Sequence, residues 1–146
     1  MKKISIVLFA SLLFSLSHAE ERTAEQLVAS KQKADMTYRQ LMEIMGGASA
    51  MIHEGIIREN KQMVREGADI ILNHPAPKHK PWTIMKEPDQ EGFKNSLLTF
   101  DKILDTHAGH AADEAGKGNW LDASKAAHEL TTSCITCHAM WKYKAK

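Results

Sequence analysis

Cys134-Ile135-Thr136-Cys137-His138 decides how the rest of the 146-residue chain is read. The pattern is C-x-x-C-H, the attachment signature of c-type haem. Its spacing has a mechanical reason. On a helix, residues three and four apart share a face, so Cys134, Cys137 and His138 project from one side. Two thiols one turn apart can each add to a vinyl group of one porphyrin. The imidazole that follows can reach the iron as an axial ligand. The chain has only two cysteines, and both are here. Competing readings are a disulfide across the pair, a thioredoxin-like redox couple and a zinc site. The redox couple calls for a βαβ setting, and no strand pattern is present. Zinc calls for a fourth ligand and usually a second ligand pair at similar spacing. One covalent haem c is therefore the expected cofactor.

The first residues support the same reading. Met1-Lys2-Lys3 is followed by an apolar run from Ile4 to Leu16 and then by Ser17-His18-Ala19. A charged start, a short apolar stretch and a small-x-small site make residues 1–19 a signal peptide, cleaved after Ala19. Residues 20–146 are then one domain. The apolar run is short for a bilayer span, so no stable membrane anchor is expected. Export places the protein in the periplasm, where c-type haem attachment occurs in bacteria. Removing Lys2 and Lys3 takes the basic count from 19 to 17 against 18 acids, a net charge of about −1. Such a balance gives no strong attraction for nucleic acid or anionic membrane.

Four helical patterns follow. Leu27, Ala34, Tyr38, Leu41, Met42, Met45, Ala48, Ile52 and Ile56 recur every three or four residues, which predicts one helix from about Ala24 to Gly55, capped by Thr23. Gly46-Gly47 inside it costs about 1 kcal/mol each in helix propensity. Such a pair points to something bulky close by, a porphyrin edge or a neighbouring helix. A second stripe runs from Met63 to His74 and is stopped by Pro75. The Pro- and Lys-bearing loop from Asn73 to Glu87 holds Trp82, which is expected to fold back on the helices. A third helix starts near Pro88, carries Phe93, Leu97, Phe100, Leu104, His107 and Ala111, and ends at Gly116-Lys117-Gly118. Asn119 is the expected cap of a fourth, which carries the cysteine motif and Trp141 before a basic tail, Lys142 to Lys146. The expected fold is all-α: an antiparallel four-helix bundle with its cofactor between facing helices.

Four helices with C-x-x-C-H on the last one resemble the class II cytochromes c, the group of cytochrome c-prime and its low-spin, methionine-ligated relatives. The resemblance covers nearly the whole chain after Ala19. It is most specific at Cys134 to Lys142, read as C-x-x-C-H-x-x-aromatic-basic. It is also specific at Tyr38-Arg39-Gln40-Leu41-Met42, which is similar to the first-helix segment facing the distal side of the haem. The resemblance implies covalent haem on Cys134 and Cys137, His138 as the proximal iron ligand and Met42 as the distal one. Two departures stand out. Lysine occupies position 142, where the family often has arginine. Arg39 and Met42 are three apart, where the family separates them by four. Without a one-residue gap, Glu43 would take the distal position. A carboxylate in an apolar pocket is costly, so the register with Met42 inward is physically the better one.

The sixth iron position separates the functions. Met42 is the first candidate and Met45, one turn on, is the second. A thioether is a soft ligand that raises haem potential and suits electron transfer, although methionines in an apolar stripe are also ordinary packing. If neither binds, the iron is five-coordinate behind an apolar face. That is the cytochrome c-prime arrangement, which the resemblance links to binding NO or CO. No other histidine is expected to be a ligand. His53 lies three turns beyond Met42, His74 and His79 read as surface residues of the loop, and His128 precedes the motif by ten residues. His107 and His110, one turn apart, read as solvated or core side chains. An enzyme would need an acid–base group beside the iron, and the first helix offers only Glu43. The reading is a periplasmic monohaem electron carrier, not an enzyme, passing electrons to a redox partner protein. The family often forms a homodimer through its first two helices, with Met51 and Ile57 as apolar candidates for that face.

Overall fold

A computed structural model describes residues 22–146; the segment read as a signal peptide, 1–19, lies outside the described residues. Thr37 divides what the periodicity joins. The predicted single helix over 24–55 is two helices, α1 (Ala24–Ser30) and α2 (Tyr38–Ile57). Each opens on the same device. Thr23 accepts from the Gln26 amide and Thr37 from the Gln40 amide, while each glutamine side chain reaches back to the cap N–H. These are capping boxes, and an N-cap is typically worth ~1 kcal/mol. Continuing the helix through Thr37 would forfeit that satisfaction. The intervening residues instead form a two-residue strand, β1 (Lys33–Ala34), paired in parallel with β2 (Ala76–Pro77).

The remaining helices are α3 (Lys61–Leu72), α4 (Glu87–Lys117) and α5 (Trp120–Trp141), with a 3-10 turn at Pro81–Ile84. The chain is thus all-α apart from the β1–β2 pair. Asn60 caps α3 by accepting from the Met63 amide. Pro88 sits in the first turn of α4, as predicted. Gly118 ends α4 at φ +84°, the left-handed region that favours glycine. Asn119 does stand at the N-cap position of α5, but it makes no capping bond; its side chain donates to Glu114 at 2.7 Å instead.

Helix α2 packs on α3, α3 on α4, α4 on α5, and α5 returns to α2. Two glycines let α2 and α3 approach. A Cβ on Gly67 would lie 2.8 Å from the Ala48 carbonyl oxygen and 2.9 Å from Ile52 Cγ1. One on Gly55 would meet Val64 Cγ2 at 2.8 Å. Around this crossing the core is apolar and rich in alanine: Ala48, Ile52, Val64, Ala68, Ala108, Ala111, Ala115, Ala123, Ala127 and Leu130 are all buried.

A second, aromatic cluster closes the other end. Trp82 folds back as expected and is buried with Ala24, Met85 and Phe93. Phe93 meets Tyr38 and Trp141 edge-on, at ring distances of 5.9 Å and 5.5 Å. The Trp141 indole donates to Ser96 Oγ at 2.9 Å. These contacts fix the last turn of α5 against the first turns of α4, one turn beyond the cysteine motif. Of the two apolar candidates for a subunit face, Ile57 is exposed and Met51 is half-buried.

Candidate cofactor site

Between the alanine core and the aromatic cluster the helices do not close. The gap is a cavity of about 1010 Å³ counted out to the solvent at its mouth. Its enclosed part is about 150 Å³, where one water needs about 10–15 Å³ of such space, so this is a ligand-sized space and not a packing defect. Its walls come from α1, α2, the loop after α3, α4 and α5.

Helix α5 contributes Ser133, Cys134, Cys137 and His138. Both cysteines are free and half-buried, and His138 is exposed at the mouth. Burial pushes both thiols up; Cys137, next to Cys134, reaches about 11. Neither is activated as a nucleophile near neutral pH. The two sulfurs face the cavity as thiols. No three His, Cys, Asp or Glu side chains among the described residues converge as a metal-binding group, so the fourth ligand that zinc would need is not brought to them.

Helix α2 contributes Tyr38, Leu41, Met42, Met45 and Gly46. These positions follow i, i+3, i+4, i+7, i+8, one stripe of a helix. Glu43 is off that stripe. It is exposed and pairs with Arg39 one turn back at 3.2 Å. Of the two registers open from sequence, the helix therefore presents Met42 to the cavity and Glu43 to water. Met45 is buried and lines the same wall. Of the two bulky neighbours expected beside the glycine pair, a porphyrin edge or a helix, the helix is not there. A Cβ on Gly46 or Gly47 would have nothing within 4 Å. Gly46 faces open cavity, and no neighbouring helix packs there.

Leu27 and Val28 of α1, Ala76, Pro77 and Pro81 of the loop, and Leu97, Phe100 and Leu104 of α4 complete an apolar lining. The donor set fits a covalently held porphyrin. Two thiols and an imidazole stand on one helix, thioethers on another, and backbone clearance lies beside the thioethers.

One corner is charged, and sequence reading missed it. Lys31 Nζ lies 2.9 Å from Asp101 Oδ1 and 2.8 Å from His74 Nε2. An ammonium only donates, so Nε2 accepts, and Nδ1 donates to the Pro75 carbonyl at 3.0 Å. His74, expected at the surface, is in fact only 13% exposed in its side chain and lines the cavity. The cause is β2, which folds the chain after α3 back along β1. Burial pushes the Asp101 carboxyl up, but the hydrogen bond and the charge of the Lys31 ammonium outweigh it and leave it lowered. Asp105, one turn on, lacks that bond; burial and the Asp101 charge raise it. The signal was present in α4: Asp101 and Asp105 interrupt an apolar stripe at four-residue spacing.

Among the described residues, the other histidines are not part of the cavity lining. His53 bonds Thr131 Oγ1 at 2.9 Å, His110 approaches Glu114 at 3.8 Å, and His79 and His128 are exposed. No described helix is long and apolar enough to cross a membrane. No family model matches the chain, no curated protein matches it, and no solved structure does.

Proposed function

We propose that the chain is an antiparallel four-helix bundle carrying one covalent haem c and acting as a periplasmic electron carrier. One observation carries the reading: Cys134, Cys137 and His138 line the same apolar cavity as Met42 and Met45. A cofactor signature read from five consecutive residues thus opens onto a ligand-sized space, and soft thioethers are in its wall. Haem, once bound, supplies a metal centre that takes up and releases one electron. The chain supplies the rest. Cys134 and Cys137 would hold the macrocycle edge, and His138 would bind the iron from α5. Met42 would complete the coordination from α2. Leu41, Leu97, Phe100 and Leu104 keep the site low in dielectric, which with ligand identity sets a haem potential. Glu43, the acid–base group that the sequence offered beside the iron, is exposed and paired with Arg39, and this supports a carrier over an enzyme.

The test is made on the full chain from a host competent for haem attachment. Intact mass should show one added haem, absent from the Cys134→Ala, Cys137→Ala double variant. The ferric protein should be low-spin with a sulfur-to-iron charge-transfer band that Met42→Ala removes. Loss of that band in Met45→Ala and not in Met42→Ala moves the ligand by one turn. A high-spin wild type indifferent to both substitutions replaces the carrier with the five-coordinate, gas-binding reading. An unmodified mass removes both.

A further inference from the structure

The charged corner of the cavity holds one acid that is left unpaired. Asp101 has Lys31, and the His74 ring is held between Lys31 and the Pro75 carbonyl. Asp105, one turn further along α4, has no hydrogen bond and no ion pair among the described residues. It is half-buried, and burial first and the Asp101 charge second hold its carboxyl up. Leu27, Asp101 and Asp105 line both the cavity and a neighbouring groove, whose other residues include Arg22, Lys102 and Thr106. Those three are exposed, so the groove is open to water. Asp105 thus borders the cofactor space and the solvent at once.

The charged groups that face Asp105 come from three parts of the fold. Lys31 follows α1 and Arg22 precedes it, His74 follows α3, and Asp101 and Lys102 belong to α4. In the rest of the cavity lining the titratable groups are Tyr38 of α2 and Cys134, Cys137 and His138 of α5. Lys31 is committed to Asp101, and the His74 imidazole already donates from one nitrogen and accepts at the other. Within the corner, Asp105 is the group left free to take up and give back a proton.

Oxidation adds one positive charge to a haem iron. Charges interact far more strongly in apolar surroundings than in water, and beside Asp105 the lining is apolar at Leu27, Leu97 and Leu104. A positive charge in this cavity favours the carboxylate over the acid. By reciprocity, the carboxylate favours the ferric iron.

We infer that Asp105 is the proton partner of the haem electron, holding a proton while the haem is ferrous and releasing it to water when the haem is oxidised. This rests on the carrier reading and adds to it a control of the potential by pH. On oxidation one electron leaves the iron for the redox partner. The Asp105 O–H bond breaks, its electron pair stays on the carboxylate, and the proton goes to water. Reduction reverses both transfers.

The midpoint potential of the haem-loaded full chain, measured by spectroelectrochemistry as a function of pH, tests this. The acid constant of Asp105 should rise on the order of tenfold from ferrous to ferric protein. For one electron, tenfold is about 59 mV, so the potential should fall by about that much as pH rises through the window and stay level on either side. Asp105→Asn should remove the fall and hold the potential at the acid limit of the wild type. Asp105→Glu should keep the fall. A fall that survives in Asp105→Asn places the proton elsewhere and overturns the inference, as does a level potential in the wild type. Redox-difference infrared spectra of the wild type give a reading that needs no variant to fold. With the aspartate carboxyls labelled with heavy carbon, an acid C=O band lost on oxidation should move with the label. A band that ignores the label belongs to the carboxylates of the haem itself and overturns the inference. A chain without haem removes the carrier reading and this inference together, whereas failure with haem in place leaves the carrier reading standing.

Discussion

The two halves of α2 pack by opposite rules. From Ala48 to Gly55 the helix is pressed against α3, close enough that Gly55 and Gly67 have no room for a Cβ. From Tyr38 to Gly46 it lines the cavity with large, soft side chains, Leu41 and Met45 buried and Tyr38 and Met42 partly so. Gly67 and Gly46 make the contrast sharp: a Cβ on the first would sit 2.8 Å from a carbonyl oxygen, and one on the second would touch nothing. One half is finished by the protein alone. The other leaves room that the protein does not fill, and chemistry-bearing residues gather around that room.

The largest way to break this contrast is truncation. Ile52 is fully buried in the closed half. Ile52→Ala should cost ~2–5 kcal/mol in the chain without cofactor, as a lowered denaturant midpoint at unchanged slope. Leu104, half-buried against the cavity, should cost clearly less as Leu104→Ala, because its atoms already lack partners on one side. Equal losses would mean that the gap is closed in solution.

Glycine substitutions give the next effect, and here the signs should differ. Gly67→Ala overpacks the α2–α3 crossing and should cost ~1–3 kcal/mol. Gly46→Ala meets no atom and improves helix propensity, so the cofactor-free chain should gain up to ~1 kcal/mol. In the haem-loaded chain the new methyl meets whatever fills the cavity, and that gain should shrink or reverse. Thermal unfolding of both forms reads the difference. A Gly46→Ala gain that is the same with and without haem would place the macrocycle away from α2.

What could be read in advance follows the range of the forces involved. That Cys134, Cys137 and His138 would share one helix face was legible because helix periodicity is local. The apolar stripes and the stops at Pro75 and Gly118 were legible because helix periodicity and backbone conformation are local as well. The break before α2 was also legible in principle. Thr37-x-x-Gln40 is a capping box, but Ala34, Tyr38 and Leu41 keep the helical period across it and conceal it. His74 could not be placed from sequence. Its position depends on β1 and β2 meeting across more than forty residues, and a two-residue pair leaves no pattern. Gly46 and Gly67 look alike in sequence; only the neighbours decide which one is crowded.

The smallest effect concerns the charged corner, where two aspartates one turn apart should respond to pH in opposite directions. Asp101 is held below the ordinary carboxylate range when folded. Between its folded and unfolded pKa the unfolded chain binds more protons, so its contribution is present above the unfolded value and is lost as pH falls through the folded one. Asp105 is raised when folded. There the folded chain binds more protons, so its contribution is favourable at low pH and is lost as pH rises through the raised value. At pH 7, Asp101→Asn should therefore lower the unfolding temperature, because Lys31 loses its ionic partner. Asp105→Asn should raise it slightly, because a buried like charge is removed, and the gain should fade as the medium is acidified. Shifts of the same sign would mean that Lys31 and His74 serve both carboxylates. The corner would then be one shared network, and the two carboxylates would not be divided into a paired and an unpaired acid.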